Sequence, residues 1–510
     1  MTESFARKSV INTGVALASQ VLVALAGLFL PQALILNYGS GTNGLITSLQ
    51  QVIAYLTLIE GGITAALAFS LYKPIAEKDQ SAVNWILSSA RMQYNRLGAI
   101  YLLALLVLVS TYPAIVRDSP FSYVQTSMFV FLAGVNGATQ ILFSGKYKAL
   151  FMASQRNGLS LSINALSTAL FSLVLVVCAY AQVHPLVATG LATCAYIGRA
   201  LMFYVAARYF YPNARYDLSG TFKFHQQKDT LTQQLMVVVI LNSPVLIMTI
   251  LQAPLSEISV YTMYNLVLAS VFMLFYAIEN SLTASFGGVI AKGDERQLAR
   301  AFRKFTSVYF LVWPVAIACV LSLYEPFVAA YTVRVTDVQY VRPLDILICA
   351  LLGAFWTLRN MQSLTITAAG RYREMRTGFV VETGLTLAVS SVGYVLFGLT
   401  GVLAGRLVST IYRFVDLSLH NFRHVLKCDA ARFVKRMAVA WLSVAIASGA
   451  YRLLSTTVEY TSLTIWAQWA VVCLGVSAAV TVLLGWLLVP EDMRVLRHMV
   501  SKGRSSSAEA

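Results

Sequence analysis

The chain has 510 residues, of which 58% are hydrophobic and only 12% charged, and its mean hydropathy is +0.68. A soluble chain needs about a quarter of its residues charged to cover its surface, so this composition excludes a water-soluble globular protein. The formal net charge of +16 invites a nucleic-acid reading, which the placement of the basic residues removes below. The six cysteines lie mostly inside apolar runs with no CxxC, which argues against a zinc site or a disulfide framework.

Runs of about 20 apolar residues are the unit to count in such a chain. Fourteen are predicted, at approximately 10–36, 43–70, 97–116, 123–144, 158–181, 185–207, 231–252, 258–286, 305–324, 344–368, 377–397, 399–419, 437–454 and 463–489. The first is too long for the core of a signal peptide and follows Arg7 and Lys8, so it reads as an uncleaved transmembrane start. The eleventh and twelfth are separated only around Leu399, Thr400 and Gly401. Residues 208–230 mix aromatic with basic side chains, the composition of an interfacial segment joining two halves. The longest outside connection, residues 325–343, leaves no room for a folded extracytoplasmic domain. The tail after Val500 is Ser-rich, with the composition of a disordered end.

Lys and Arg alone set the expected topology. With the N-terminus in the cytoplasm, nearly all 38 of them fall on inside segments. The outside loops carry only Arg117, Arg334, Arg342 and Arg452, and three arginines, Arg199, Arg359 and Arg406, remain within spans. The positive charge is therefore topological, both termini are placed in the cytoplasm, and no nucleic-acid partner is implied.

Three phrases recur in the same order. IEGGITAAL at 59–67 returns as IENSLTASF at 278–286, which sets Glu60 against Glu279. MASQRN at 152–157 matches TAAGRY at 367–372, setting Arg156 against Arg371. YIGRAL at 196–201 matches LAGRLV at 403–408, setting Arg199 against Arg406. Each pair occupies equivalent spans, so duplication is inferred. Six spans per copy is an even number, so the two repeats are parallel. The expectation is an all-α polytopic membrane protein of fourteen transmembrane helices. It comprises a lobe at 1–207, a cytoplasmic linker at 208–230, a second lobe at 231–419, a basic loop with helices 13 and 14 at 420–489, and a cytoplasmic tail at 490–510.

The second span carries Thr47, Gln50, Thr57, Glu60 and Thr64, which fall within an arc of about 140° at helical spacing. The eighth does the same with Tyr261, Asn265, Tyr276, Glu279 and Thr283. Lipid cannot satisfy such stripes, so they face other helices or a water-filled cavity. Asn12, Ser19, Gln234, Asn242 and Ser243 add polarity in the first and seventh spans, and Pro244 should distort the latter. The neutral residues (Gln50, Thr57, Thr64, Asn265, Tyr276 and Thr283) are candidate cavity-lining groups, with helix–helix glue as the alternative. Glu60 and Glu279 are candidate coupling or gating groups for H+ or Na+, and counter-ions to buried arginines in the competing reading. Arg199, Arg359 and Arg406 either snorkel to an interface or form a cationic patch for a phosphate- or pyrophosphate-bearing substrate, which the guanidinium fork suits. No P-loop, HExxH or nucleophile elbow is present, and His420 and His424 lie in a basic loop where a metal site is not expected. Neither an enzyme nor a cofactor is expected.

With these residues in view, the chain resembles the multidrug/oligosaccharidyl-lipid/polysaccharide (MOP) exporter superfamily, in its polysaccharide-transporter branch. The resemblance rests on the twofold six-span repeat, on LIEGGITAALAFSLYKPIAEKD from Leu58, and on the A-x-x-R loops at Arg156 and Arg371. It implies a V-shaped pair of six-helix lobes, alternating access, and a flippase of a polyprenyl-pyrophosphate-linked oligosaccharide in the bacterial plasma membrane. Partners implied in the same way are the bilayer, a polysaccharide polymerase and glycosyltransferases. A cation-coupled exporter of small organic molecules and a lipid II flippase are the alternatives within the superfamily.

Overall fold

The computed structural model describes residues 2–116, 118–215, 228–291, 295–368, 372–426 and 430–491. Among these there are fourteen α-helices, two short π-helical segments and no strand. The linker expected at 208–230 lies largely outside the described residues, as do Arg117, Arg371 and the tail from 492.

The helices are α1 (Thr2–Tyr38), α2 (Ser40–Ala76), α3 (Gln80–Ile115), α4 (Tyr123–Ala138), α5 (Gly145–Ala153), α6 (Asn157–Tyr180) and α7 (Pro185–Phe210). They continue with α8 (Lys228–Ile250), α9 (Leu255–Ala291), α10 (Glu295–Tyr331), α11 (Pro343–Ala368), α12 (Tyr372–His420), α13 (Ala431–Leu454) and α14 (Leu463–Leu488). Eleven helical stretches among the described residues are long and apolar enough to cross a bilayer. The stretch Glu374–Val425 counts once but contains two rods. Its break is at Gly398, whose φ of 60° and ψ of −138° suit a residue without Cβ. Across that bend, Thr386 bonds Ser409 at 2.8 Å, so the rods run back along each other as the predicted eleventh and twelfth spans. Helix α2 is not among the eleven, and α8 contributes a shorter apolar stretch, Met236–Ile250. The chain is a multi-pass helical membrane protein.

The chain divides into two compact units, Met1–Thr262 with Val335–Val338, and Met263–Arg334 with Gln339–Ala510. In the first unit, α6 and α7 bury Phe171, Leu175, Ala188, Ala192 and Tyr196 together, with Leu30 of α1 packed against them. Helix α2 lies among α3, α4, α5 and α8. It is tied to α8 by Ser48–Thr249 at 2.8 Å and by Tyr55 donating to the Val239 carbonyl at 3.2 Å. At the start of α2, Asp337 accepts from the Ser40 amide at 2.7 Å and from its hydroxyl at 2.8 Å, satisfying an end that α2 leaves open. In the second unit, α11 packs along α12, while α13 and α14 pack on α10. Leu323, Tyr451 and Cys473 form the shared core of that three-helix layer, with Trp466 and Trp469 beside it.

Candidate functional site

In the first unit the site begins with a break in helical register. Helix α4 starts on a capping box, Ser122 with Gln125, and between α4 and α5 residues Thr139–Ser144 wind as a π-helix. One extra residue per turn re-aims the side chains that follow, which is why such segments concentrate at functional positions. Here it turns Gln140 to Glu60: the amide donates to Oε2 at 2.8 Å. Thr64, one turn on in α2, donates to Oε1 at 2.9 Å and bonds the Tyr94 hydroxyl of α3 at 2.7 Å. Lys148 of α5 places its ammonium 3.9 Å from Oε1. Glu60 is only 4% exposed, so these partners replace the water that a buried carboxylate loses.

Arg199 of α7 serves the same π-segment from its other side. It donates to the Asn136 carbonyl at 2.9 Å and to the Thr139 hydroxyl at 3.0 Å. The Asn136 carbonyl also accepts from the Thr139 hydroxyl, so Arg199 joins a hydrogen-bonded group that ties α7 to the start of the π-segment. Its guanidinium also lies 5.1 Å from the Tyr196 ring centre.

A small cavity in this unit is lined by Gln50, Ile53, Asn136, Thr189, Thr193 and Tyr196, among others. Gln50 is exposed there, whereas Thr57 is half-buried and bonds back to the carbonyls of Ile53 and Ala54. Asn242 and Ser243 of α8 likewise return to their own helix, at Val238 and Ile240.

The second unit holds a different cluster. Arg359 of α11, 4% exposed, donates from Nη2 to Glu382 Oε2 of α12 at 2.8 Å, and Nη1 donates to Asn360 at 2.8 Å. Arg413, on the returning rod of α12, sets Nε 3.6 Å from the same carboxylate oxygen and bonds Asp416. The Phe379 ring lies against both guanidiniums, 4.3 Å from Arg413 and 5.5 Å from Arg359, and Trp356 lies 4.5 Å from Arg359. Close approach is possible because position 378 is glycine: a Cβ there would stand 1.6 Å from Arg413 Nη1. Two buried cations thus share one fully buried carboxylate, with the half-exposed Asp416 as a further partner of Arg413.

Of the other predicted residues, Glu279 is buried on α9 and Arg406 is buried on α12. Asn265 is half-buried and Tyr276 is 60% exposed. The side chains of Asn12, Gln234 and Thr283 lie outside the described ones. Sequence reasoning missed five partners: Tyr94, Gln140, Lys148, Glu382 and Arg413. Glu382 carried a readable signal, being an acid inside an apolar span. Lys148 did not, because a span ending at residue 144 assigns it to a loop, whereas the helix continues to Ala153.

No protein-family model matches the chain, and no curated protein does. Solved structures do. An inward-facing multidrug resistance MATE family transporter of the MOP superfamily aligns with a TM-score of 0.61 at 12% identity, covering 82% of this chain and 98% of that one. The lipid II flippase MurJ, in an inward closed conformation, aligns with a TM-score of 0.61 at 10% identity, covering 94% and 99%. The fold is that of the MOP-superfamily transporters. A further member of that superfamily, from Pyrococcus furiosus and described by the reverse polarity of its binding pocket, aligns at 0.51 with 14% identity, covering 82% and 95%. The structures that share this fold thus include a multidrug resistance transporter and a lipid II flippase.

Proposed function

We propose that this chain is a flippase that moves a polyprenyl-pyrophosphate-linked oligosaccharide across the bacterial plasma membrane by alternating access, from the cytoplasmic to the outer leaflet. The observation that carries the reading is the alignment with the lipid II flippase over 94% of this chain. So little is left unmatched that the match cannot omit α13 and α14 together, whereas the multidrug transporter covers 82%. The distribution of basic residues supports placing both termini in the cytoplasm.

In this reading the in-span arginines Arg199, Arg359 and Arg406 supply the attraction for pyrophosphate. Arg359 and Arg413 lie together on Glu382, with Asp416 as a further partner of Arg413, so two guanidiniums are concentrated at one point of the second unit. Glu60 and Glu279 gate or couple the cycle to H+ or Na+. Glu60 is suited to that role because its hydrogen-bond partners, Gln140 and Thr64, can reorient to serve either protonation state. Polysaccharide polymerase and glycosyltransferases are the partners that this reading implies.

Reconstitution into liposomes with a fluorescent polyprenyl-pyrophosphate oligosaccharide, scored for accessibility in each leaflet, is the test. Protein-dependent movement supports the reading, and none across several glycan types removes it. Lipid II belongs in the same assay as a competing substrate. The equal TM-score of the multidrug transporter favours a second reading, cation-coupled export of small organic molecules. That reading predicts counterflow of organic cations, with no leaflet exchange of the glycolipid.

A further inference from the structure

The helix pair α13–α14 creates, with α10, a pocket that the flippase reading does not use. All of it lies in the second unit. Thr306 meets Arg436 near the beginnings of α10 and α13, and Leu323 meets Tyr451 further along, so these two helices run parallel. Helix α14 returns antiparallel, bringing Thr481, Gly485 and Val489 to the end where α10 and α13 begin. The pocket opens there, lined by Ser307, Arg436, Ser443 and Thr481, with Phe310 and Val439 among its apolar walls.

Three features define its chemistry. Arg436 is 9% exposed and is held in place by donating to Thr306 Oγ1 at 2.8 Å and to the Arg303 carbonyl at 3.3 Å. A guanidinium fixed in a pocket wall is a recognition group for phosphate oxygens. Across from α13, the Thr481 hydroxyl of α14 is buried, with the residue 3% exposed, and has no hydrogen-bond partner. A buried hydroxyl left unpartnered costs stability unless a ligand or water completes it. Finally, no carboxylate is among the lining residues.

The surroundings select the source of the phosphate. Arg300, Arg303 and Lys304 at the start of α10, and Arg432 and Lys435 at the start of α13, are all exposed around the same end. Beyond the pocket, α14 presents Val482, Leu483 and Trp486 at its surface. Cationic side chains at a membrane-facing end with apolar helix flanks are the arrangement that holds an anionic lipid headgroup. Free phosphate has no use for the apolar flank.

We propose that this pocket binds the phosphate of an anionic phospholipid, with Arg436, Ser307 and Thr481 contacting the headgroup and the acyl chains lying along α14. The site is independent of the transported substrate, so its test does not need transport. The full-length protein in detergent is titrated with phosphatidylglycerol or phosphatidylcholine, and lipid retention is read by native mass spectrometry alongside thermal stability. The wild type should retain phosphatidylglycerol preferentially and be stabilised by it. Arg436→Gln should weaken that binding about tenfold, the loss of one charge-assisted contact, and Arg436→Lys should recover part of it. Thr481→Val should bind several-fold more weakly while melting like the wild type without lipid. This keeps the test decisive if Arg436→Gln does not fold. Arg452→Gln, at the opposite end of α13 from the pocket, should bind nearly as well as the wild type. Equal retention of the two lipids overturns the proposal, as does normal phosphatidylglycerol binding by Thr481→Val. Displacement of the lipid by millimolar inorganic phosphate would make this a free-anion site and overturn it as well.

Discussion

Glu60 and Arg199 meet on consecutive residues of one π-helical turn: Arg199 donates to the Thr139 hydroxyl at 3.0 Å, and Gln140 donates to Glu60 at 2.8 Å. Neither touches the other, so the arginine is not a direct counter-ion of this carboxylate. Each instead completes one side of a helix that has slipped register. The acid is held by the π-segment, by α5 and by Thr64 of its own helix, and the arginine holds α4 and the π-segment to α7.

The first prediction follows for Glu60. Glu60→Gln removes the charge opposite Lys148 while keeping an oxygen for Gln140 or Thr64. Transport in the liposome assay should fall sharply and its remaining rate should lose its dependence on pH or Na+. The companion Glu60→Gln/Lys148→Met removes the stranded ammonium, so its melting temperature should exceed that of Glu60→Gln alone while transport stays low. Unchanged ion dependence in Glu60→Gln would take this residue out of coupling.

Arg199 gives a contrasting expectation. Arg199→Leu removes the charged donor shared by the Asn136 carbonyl and the Thr139 hydroxyl, which should cost about 1–3 kcal/mol in a denaturation midpoint. If the guanidinium also binds substrate, Arg199→Lys should restore stability and transport together. If it only completes the π-segment, restored stability should be accompanied by wild-type substrate affinity in every folded variant.

Arg359 and Glu382 should behave as a buried pair whose separation is costly. Glu382→Ala should destabilise by about 3–5 kcal/mol, because it leaves Arg359 without its carboxylate, and Arg359→Ala should cost less, because Arg413 still faces Glu382. The double variant Arg359→Met/Glu382→Leu should melt closer to the wild type. In the transport assay, Arg359→Lys should keep partial activity, and the double variant, which is stable but lacks that cation, should have none. Full transport by the double variant would show that the cluster serves packing only.

Gly378→Ala tests the same cluster through its geometry. The added methyl would displace Arg413 from Glu382 and Asp416, since its Cβ would stand 1.6 Å from Nη1. A loss of about 1–3 kcal/mol is expected, the usual cost of overpacking. Arg413→Lys, with a slimmer end group, should tolerate Gly378→Ala better than Arg413 does.

The sequence by itself determined the class of protein. Twenty-residue apolar runs can be satisfied in a bilayer only as helices, so spans and their order are written in composition. It also marked Glu60, Glu279, Arg199, Arg359 and Arg406, because a charge in an apolar run stands out without any knowledge of its neighbours. What it could not determine is what each charge faces. Glu382 lies 23 residues from Arg359, on a different helix, and Lys148 reaches Glu60 only because α5 continues where an apolar window ends. The π-segment has no compositional signature, and its side-chain partners, Glu60 of α2 and Arg199 of α7, come from helices distant in sequence. Hydropathy is a property of each residue summed along the chain, whereas pairing depends on helix packing and register. Only the tertiary structure decides the second.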